Sequence, residues 1–273
     1  MEQIDNARTL LDAGAAAMQP ETGHGGIPFV AMPNGYEIKD LESLLPIPTR
    51  KRATVTTTDS DSFVFYVTKH GAPDATVVYA DTDYEANRFV LVGVLDDHGA
   101  TDPRWRAHRC LFQPTQAVEW KRWLSANKKQ LSQADFAAWL EDNLADVAAT
   151  EGMPTGADIL QMSLGFEANS DKRLRSKINL QNGGVRFEFV DDEDKETRTS
   201  MQVFERFTLG LPVFEGSKSA YQVEARLKYR EREGRVIFWY ELIRPDRVFK
   251  SAVNDEIAHI RETTGFPVIS GKP

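Results

Sequence analysis

The segment from Phe204 to Ile243 constrains the fold more than any other part of the chain. Between Tyr221 and Arg232 apolar and polar residues alternate strictly, which is the pattern of a β-strand with one buried face. Glu233-Gly234 then supplies a two-residue turn into a returning strand, because glycine accepts the positive φ that such a turn needs. The segment therefore predicts three consecutive antiparallel strands, with the first one before Tyr221.

The returning strand, Arg235 to Ile243, has two apolar faces. Val236, Phe238, Tyr240 and Leu242 continue the apolar face of the preceding strand, whereas a second apolar set alternates with them. A strand without a polar face is covered on both sides by its own chain or by a second copy. The predicted contact residues for a homo-oligomer are therefore Ile237, Trp239 and Ile243.

The polar face of the first hairpin strand carries a row of cations. These are Arg226, Lys228, Arg230 and Arg232. Cations beside an aromatic ring such as Trp239 suit a single-stranded nucleic acid, because phosphates need positive charge and bases need a π surface. The same row also suits an ordinary solvated strand face, since lysine and arginine on exposed strands prevent edge-to-edge aggregation. The pattern leaves both interpretations open.

Composition limits the classes of partner. The 273 residues are 41% hydrophobic, which is enough for a substantial core, and carry a formal net charge of -8. That charge repels polyanions overall, so nucleic-acid binding requires a local basic surface. A single cysteine, Cys110, excludes an internal disulfide and fits a reducing compartment. The sequence has no twenty-residue apolar run and no signal-peptide profile at its start, which predicts a cytoplasmic protein without a membrane partner.

The remaining sequence predicts an α+β fold in which antiparallel β-sheets, built from meanders and hairpins, pack against a helical layer. We predict a β-rich region with a leading helix at residues 1–112, a helical segment at 113–170, and a β-meander with a terminal helix at 171–273. The three regions are also compatible with one integrated domain. The predicted strands of the first region are Ala53 to Thr58, Ser62 to Thr68, Thr76 to Ala80, Arg88 to Leu95 and Arg106 to Phe112.

Turns and helix ends complete this prediction. Asp81-Thr82-Asp83 is predicted as one of the polar turns of a meander without a β–α–β unit. Thr115 and Ser132 are predicted to cap two helices, and Pro245 is predicted to open the last helix. A hairpin is predicted at Lys177 to Leu180 and Val185 to Val190.

No motif predicts catalysis. The aspartates in turns could ligate a hard cation, but they have no EF-hand spacing, and aspartate is common in turns for reasons of backbone geometry. The five histidines are scattered, and Cys110 has no activating neighbour in the sequence. The sequence also lacks dinucleotide, Walker and GxSxG fingerprints. We predict no enzyme activity, no catalytic residue, no cofactor and no metal. The aspartates are Asp59, Asp61, Asp81, Asp83, Asp96 and Asp97.

Two stretches resemble a known family. FTLGLPVFEG and YQVEARLKYREREGRVIFWYELIRP, together with the upstream helix that contains Trp120 and Trp123, resemble the YfdQ-like family of phage and prophage proteins of unknown function. The resemblance covers most of the chain and is most specific from Phe207 to Pro245. It implies a phage origin, expression in the cytoplasm of a bacterial host and an accessory role. The association of such genes with phage recombination genes also keeps nucleic acid as a partner.

Three functions follow as hypotheses. The first is a non-enzymatic phage or prophage accessory protein that works as a homo-oligomer. The second is a single-stranded nucleic-acid-binding accessory to phage recombination or replication. The third is an inhibitor of a host defence protein, in which the acidic run Asp191 to Asp194 would imitate a polyanion.

Overall fold

The computed structural model describes residues 2–17, 21–22, 28–29, 42–168, 173–179, 184–190, 198–232 and 235–273. Within these residues the α-helices are α1 (Glu2–Ala17), α2 (Ser60–His70), α3 (Val118–Ala126), α4 (Gln133–Asp142), α5 (Gly156–Ala168) and α6 (Pro245–Thr264). The strands are β1 (Glu21–Thr22), β2 (Pro28–Phe29), β3 (Ala53–Thr57), β4 (Val77–Asp83), β5 (Arg88–Val94), β6 (His108–Phe112), β7 (Leu131–Ser132), β8 (Arg173–Asn179), β9 (Gly184–Val190), β10 (Arg198–Phe204), β11 (Arg206–Leu211), β12 (Tyr221–Arg232), β13 (Arg235–Leu242) and β14 (Val268–Ser270).

The chain divides into two units, Met1–Lys51 and Arg52–Pro273. The first unit contains α1, the β1–β2 pair and a 3₁₀ turn at Glu42–Leu44. The second unit contains every other element and is an α+β structure with mostly antiparallel sheets, as the sequence predicted. The proposed boundaries at 112 and 170 stay a prediction.

A five-stranded sheet forms the first half of the second unit, in the order β14-β4-β5-β6-β3. Its three middle strands are antiparallel, whereas β3 pairs with β6 and β14 pairs with β4 in parallel. Because β3 runs parallel to β4 and α2 connects them, the chain contains the β–α–β crossover that the meander prediction left out. The crossover spans β5 and β6.

The strand predicted at Ser62 to Thr68 is wrong, because this stretch lies in helix α2. The Asp59 side chain accepts a hydrogen bond from the backbone N–H of Ser62 at 2.7 Å and caps the helix. Phe63 and Val67, one turn apart, are fully buried against the sheet. The aromatic and β-branched content favoured a strand by composition, but the packing of one helical stripe decides the structure.

The turn predicted at Asp81-Thr82-Asp83 is also wrong, because β4 continues through these residues. Asp81 forms an ion pair with Arg88 of β5 at 2.7 Å, and Asp83 Oδ1 accepts from the backbone N–H of Ala86 at 3.0 Å. The chain therefore reverses at 84–87, three residues later than predicted.

The second half of the unit contains a four-stranded antiparallel sheet in the order β11-β12-β13-β7. This confirms the three consecutive antiparallel strands predicted from the sequence. Arg232 pairs with Arg235, which leaves two residues for the connection, although Glu233-Gly234 lies outside the described residues. A separate sheet, β10-β9-β8, contains the predicted hairpin between β8 and β9.

Helices α3, α4 and α6 cover the inner face of the four-stranded sheet. Trp123 of α3 packs against Tyr240 of β13 with ring centroids 5.0 Å apart, and the Tyr240 hydroxyl donates to Trp123 O at 2.6 Å. Phe136 of α4 stacks on Phe238 at 5.1 Å. The Tyr221 hydroxyl donates to Asp255 Oδ2 of α6 at 2.8 Å. On the opposite face of the sheet, the described side chains of β12 are exposed from Gln222 to Arg230, whereas Thr208 of β11 is buried.

Helix ends agree with the sequence at Ser132 and Pro245 but not at Thr115. The Ser132 side chain accepts from the Asp135 N–H at 3.2 Å, and Pro245 occupies the start of α6. Helix α3 has no cap from Thr115. Instead, Glu215 Oε1 accepts a hydrogen bond from the Val118 N–H at 3.0 Å across 97 residues of sequence.

Candidate nucleic-acid interface

Strand β12 separates two environments. Val223, Ala225 and Leu227 are buried in the core. The residues between them point to the opposite face and are exposed, because successive side chains of a strand alternate between its faces. The exposed residues are Gln222, Glu224, Arg226, Lys228 and Arg230.

Pairing with the neighbouring strands brings the predicted site residues together. Lys228 lies directly opposite Trp239, and Arg230 lies opposite Ile237. On the other side, Arg226 pairs with Arg206 of β11, which sequence reasoning did not identify. Arg232 belongs to the same strand, but its side chain is outside the described part of the structure.

Arg230 extends over Trp239. Its Cζ lies 5.9 Å from the centroid of the Trp239 rings, and its Nη2 donates to Gln130 Oε1 at 2.7 Å. Gln130 directly precedes β7, on the far side of β13. The Arg230 side chain therefore crosses β13 and forms a strap over its aromatic residue.

The loop at 127–130 adds a second set of cations beside the sheet. Lys128 N donates to Tyr240 O at 2.9 Å, and Asn127 Oδ1 accepts from Leu242 N at 3.0 Å, so the loop is fixed along the edge of β13. Lys128 and Lys129 are exposed. The sequence shows two consecutive lysines between two helices, but their position along β13 depends on the tertiary structure.

Acidic residues neutralise only part of this surface. Glu224 lies 3.7 Å from Arg206, and Glu241 lies opposite Arg226 and near Trp239. Six cations and two carboxylates thus belong to the described face and its edge loop. We call this surface the basic face. Its cations are Arg206, Arg226, Lys228, Arg230, Lys128 and Lys129.

The predicted oligomer residues are neither bare nor fully covered. Ile237, Trp239 and Ile243 are each half-buried. Arg230 covers part of β13, since a long cationic side chain can lay its aliphatic stem on apolar surface while its charge stays in water. Self-coverage accounts for part of the second apolar face without a second copy.

Five of the six aspartates predicted in turns accept hydrogen bonds within the fold, namely Asp59, Asp81, Asp83, Asp96 and Asp97. Asp96 accepts hydrogen bonds from the backbone N–H groups of Ala107 and His108, both at 2.9 Å. Asp97 accepts from the Tyr79 hydroxyl at 2.7 Å and lies 2.8 Å from Arg106 Nε. In the part of the chain that the structure describes, no group of three or more acidic, histidine or cysteine side chains has the geometry of a metal site.

Burial opposes ionisation of Asp97, but hydrogen bonds from Tyr79 and the His98 N–H, together with the charge of Arg106, outweigh it and lower its pKa. Cys110 is fully buried, and burial raises the pKa of its thiol to about 11. A thiol in this environment is not an activated nucleophile at neutral pH.

Two histidines that are distant in sequence are neighbours in the fold. The His70 and His108 rings lie 5.4 Å apart, and the Tyr66 hydroxyl lies 2.9 Å from His108 Nε2. The cluster joins α2 to β6. No sequence spacing indicated this contact, because the crossover through α2 creates it.

A cavity of about 270 Å³ lies on the inner side of β12, between the start of α2, the loop after β11 and α6. Phe112 and Phe214 contribute to its walls, and Glu256 contributes a carboxyl whose Oε2 is buried without a hydrogen-bond partner in the described residues. Burial raises the pKa of Glu256. Five carboxylates surround this cavity, namely Asp59, Asp61, Glu215, Asp255 and Glu256.

The described helices include none with the length and apolar character required to cross a membrane. A comparison with protein families matches residues 3–273 to the model of DUF2303, described as an uncharacterized conserved protein. No curated protein matches the chain.

Proposed function

The chain belongs to the DUF2303 family, and we propose that it is an accessory protein of phages or prophages that binds single-stranded nucleic acid in the host cytoplasm. The observation that carries this proposal is the basic face on a chain whose net charge is -8. A random surface of such a chain is acidic, so a concentration of cations beside a tryptophan supports a polyanionic partner. The resemblance to YfdQ-like proteins supports the phage setting.

The arrangement fits a single strand better than a duplex. Arg226, Lys228 and Arg230 are exposed at every second residue of β12, which spaces them by about 7 Å along the strand. Trp239 lies beside them in the neighbouring strand. A single strand presents phosphates and unstacked bases together, whereas a duplex hides its base faces.

Fluorescence anisotropy with a labelled oligo(dT) of about 20 nucleotides tests the proposal. We expect salt-sensitive binding that the variant Arg226→Glu/Lys228→Glu/Arg230→Glu loses. Replacing the same three residues with glutamine should reduce the slope of log Kd against log salt by about 2, because each phosphate contact contributes about 0.7 for single strands.

The control is Lys121→Glu/Arg247→Glu/Lys250→Glu, which changes three exposed cations on α3 and α6 and alters the net charge equally. It should retain most of the affinity. Equal losses in both variants would assign binding to net charge, and an absence of binding by the parent protein at low salt would eliminate the proposed function.

Self-association is a second candidate function, in which the protein acts as a non-enzymatic homo-oligomer. The partial exposure of Ile237, Trp239 and Ile243 favours it. Light scattering should then give a mass above the 30.7 kDa of one chain, and Trp239→Asp should lower it. A monomeric parent protein would eliminate this candidate. The alternative of a host-defence inhibitor stays a prediction, since Asp191 to Asp194 lies outside the described residues.

A further inference from the structure

We propose that Trp239 is the base-binding residue of the basic face and that the Arg230–Gln130 strap covers it until a single strand binds. This inference rests on the proposed function and identifies the element that distinguishes single strands from duplexes. It also makes Gln130, which does not belong to the cationic row, a determinant of affinity.

The Arg230–Gln130 strap covers one face of the Trp239 ring. The Arg230 guanidinium lies over the Trp239 rings at 5.9 Å, where a stacked base would lie. Its partner, Gln130 Oε1, is a neutral acceptor 2.7 Å away at an exposed site. A hydrogen bond between exposed side chains is readily exchanged for a bond to water or phosphate. The guanidinium can therefore leave the ring and contact a phosphate oxygen of the ligand.

Cations also lie on both sides of β13. Lys228 and Arg230 lie on one side of this strand, and the loop with Lys128 and Lys129 lies on the other. Strand β12 and this loop lie on opposite sides of β13, so their backbones are two inter-strand distances apart, roughly 10 Å. A single strand that follows β13 would thus have cations on both sides and Trp239 beneath its bases. A duplex keeps its bases stacked inside the helix, so it would contact the cations without placing a base on the ring.

Substitution of Trp239 tests the stacking step. Trp239→Leu should weaken oligo(dT) binding about tenfold relative to the parent protein, which is the expected contribution of one stacked base. Trp239→Phe, which keeps an aromatic ring, should bind much more tightly than Trp239→Leu. The affinity for inorganic polyphosphate, which has no bases, should not change in either variant. Oligo(dT) should also quench tryptophan fluorescence in the parent protein, and Trp239→Phe should lack that quenching.

Substitution of Gln130 tests the strap. Gln130→Glu converts the hydrogen bond with Arg230 into an ion pair, which should hold the guanidinium over the ring and weaken oligo(dT) binding. The matched control is Gln222→Glu, which adds the same charge to an exposed position of β12 away from Trp239. We expect Gln130→Glu to weaken binding about fivefold more than Gln222→Glu. Both sites are exposed, so both variants should fold.

The outcomes separate the two proposals. An absence of oligo(dT) binding by the parent protein at low salt would eliminate the proposed function, whether or not polyphosphate binds. Binding to both ligands, with Trp239→Leu changing neither or changing both equally, would overturn the stacking inference and leave the proposed function in place. Equal effects of Gln130→Glu and Gln222→Glu would overturn the role of the strap.

Discussion

The two faces of β12 differ in polarity and in access to solvent. The outer face is open and basic, with Arg226, Lys228 and Arg230 exposed. The inner face is packed against helices, and at its first residue, Tyr221, it borders the acidic cavity. The acidic cavity therefore borders only the start of β12, whereas the first cation of the row, Arg226, lies five residues further along, at roughly 17 Å.

Under the proposed function, this contrast explains how a chain with a net charge of -8 could attract an anionic partner. Exposed charges interact over about one Debye length, roughly 8 Å at physiological salt, so a ligand on the outer face is influenced mainly by the nearby cations. Carboxylates such as Asp255 and Glu256 lie beyond the sheet and affect that ligand much less. Under the proposed function, these carboxylates would therefore leave most of the attraction between the basic face and an anion intact.

The largest expected effect is a difference in the free energy of unfolding between a variant on the inner face of β12 and one on its outer face. Leu227→Ala removes a side chain that is 3% exposed and should lower the free energy of unfolding by about 2–5 kcal/mol. Lys228→Ala, at the next residue, should change it by less than about 0.5 kcal/mol. Urea denaturation followed by circular dichroism measures both. Similar losses for the two variants would contradict the separation of faces.

A smaller effect concerns the contact between β12 and α6. Tyr221→Phe removes the hydroxyl that donates to Asp255 and should cost about 0.5–1.5 kcal/mol. A double-mutant cycle with Asp255→Ala isolates the coupling between the two side chains. Additive effects of the single substitutions would show that the hydrogen bond contributes nothing to stability.

The smallest expected effect is the pH dependence that Glu256, in the wall of the cavity, gives to the free energy of unfolding. Burial raises the pKa of Glu256, so its contribution to stability is fully present below the unfolded pKa of about 4.3 and is lost as pH rises through the folded value. Glu256→Gln should therefore be more stable than the parent protein at pH 7, by less than about 1 kcal/mol, and equal to it below about pH 4.

Urea denaturation at the two pH values measures this difference, and Glu262→Gln, on the exposed side of the same helix, provides the control. If Glu256→Gln is instead less stable than the parent protein at pH 7, the ionised carboxylate is favourable in the cavity.

The sequence predicted those parts of the fold that depend on local pattern. Strict alternation from Tyr221 to Arg232 identified β12 and its outer residues, because a strand has only two faces. Ser132 and Pro245 identified two helix starts by local chemistry. Helix α2 was mistaken for a strand, because Phe63 and Val67 fit either period in a short segment and only packing on the sheet distinguishes them.

Contacts between distant residues could not be predicted from the sequence. Gln130 and Arg230 are 100 residues apart, and no periodicity relates them. The same applies to the cap that Glu215 provides for α3. The sequence therefore predicted only part of the candidate site. Its cationic row follows from the pattern of one strand, whereas the loop at 127–130 and the Arg230–Gln130 strap depend on the order of the strands in the sheet.

The buried thiol of Cys110 has a practical consequence for future experiments. Because it is the single cysteine of the chain and is fully buried, maleimide reagents should ignore it while the protein is folded. A cysteine introduced at an exposed position would then take a spectroscopic label selectively in the native protein. The rate at which Cys110 itself is modified would then measure how often the five-stranded sheet opens.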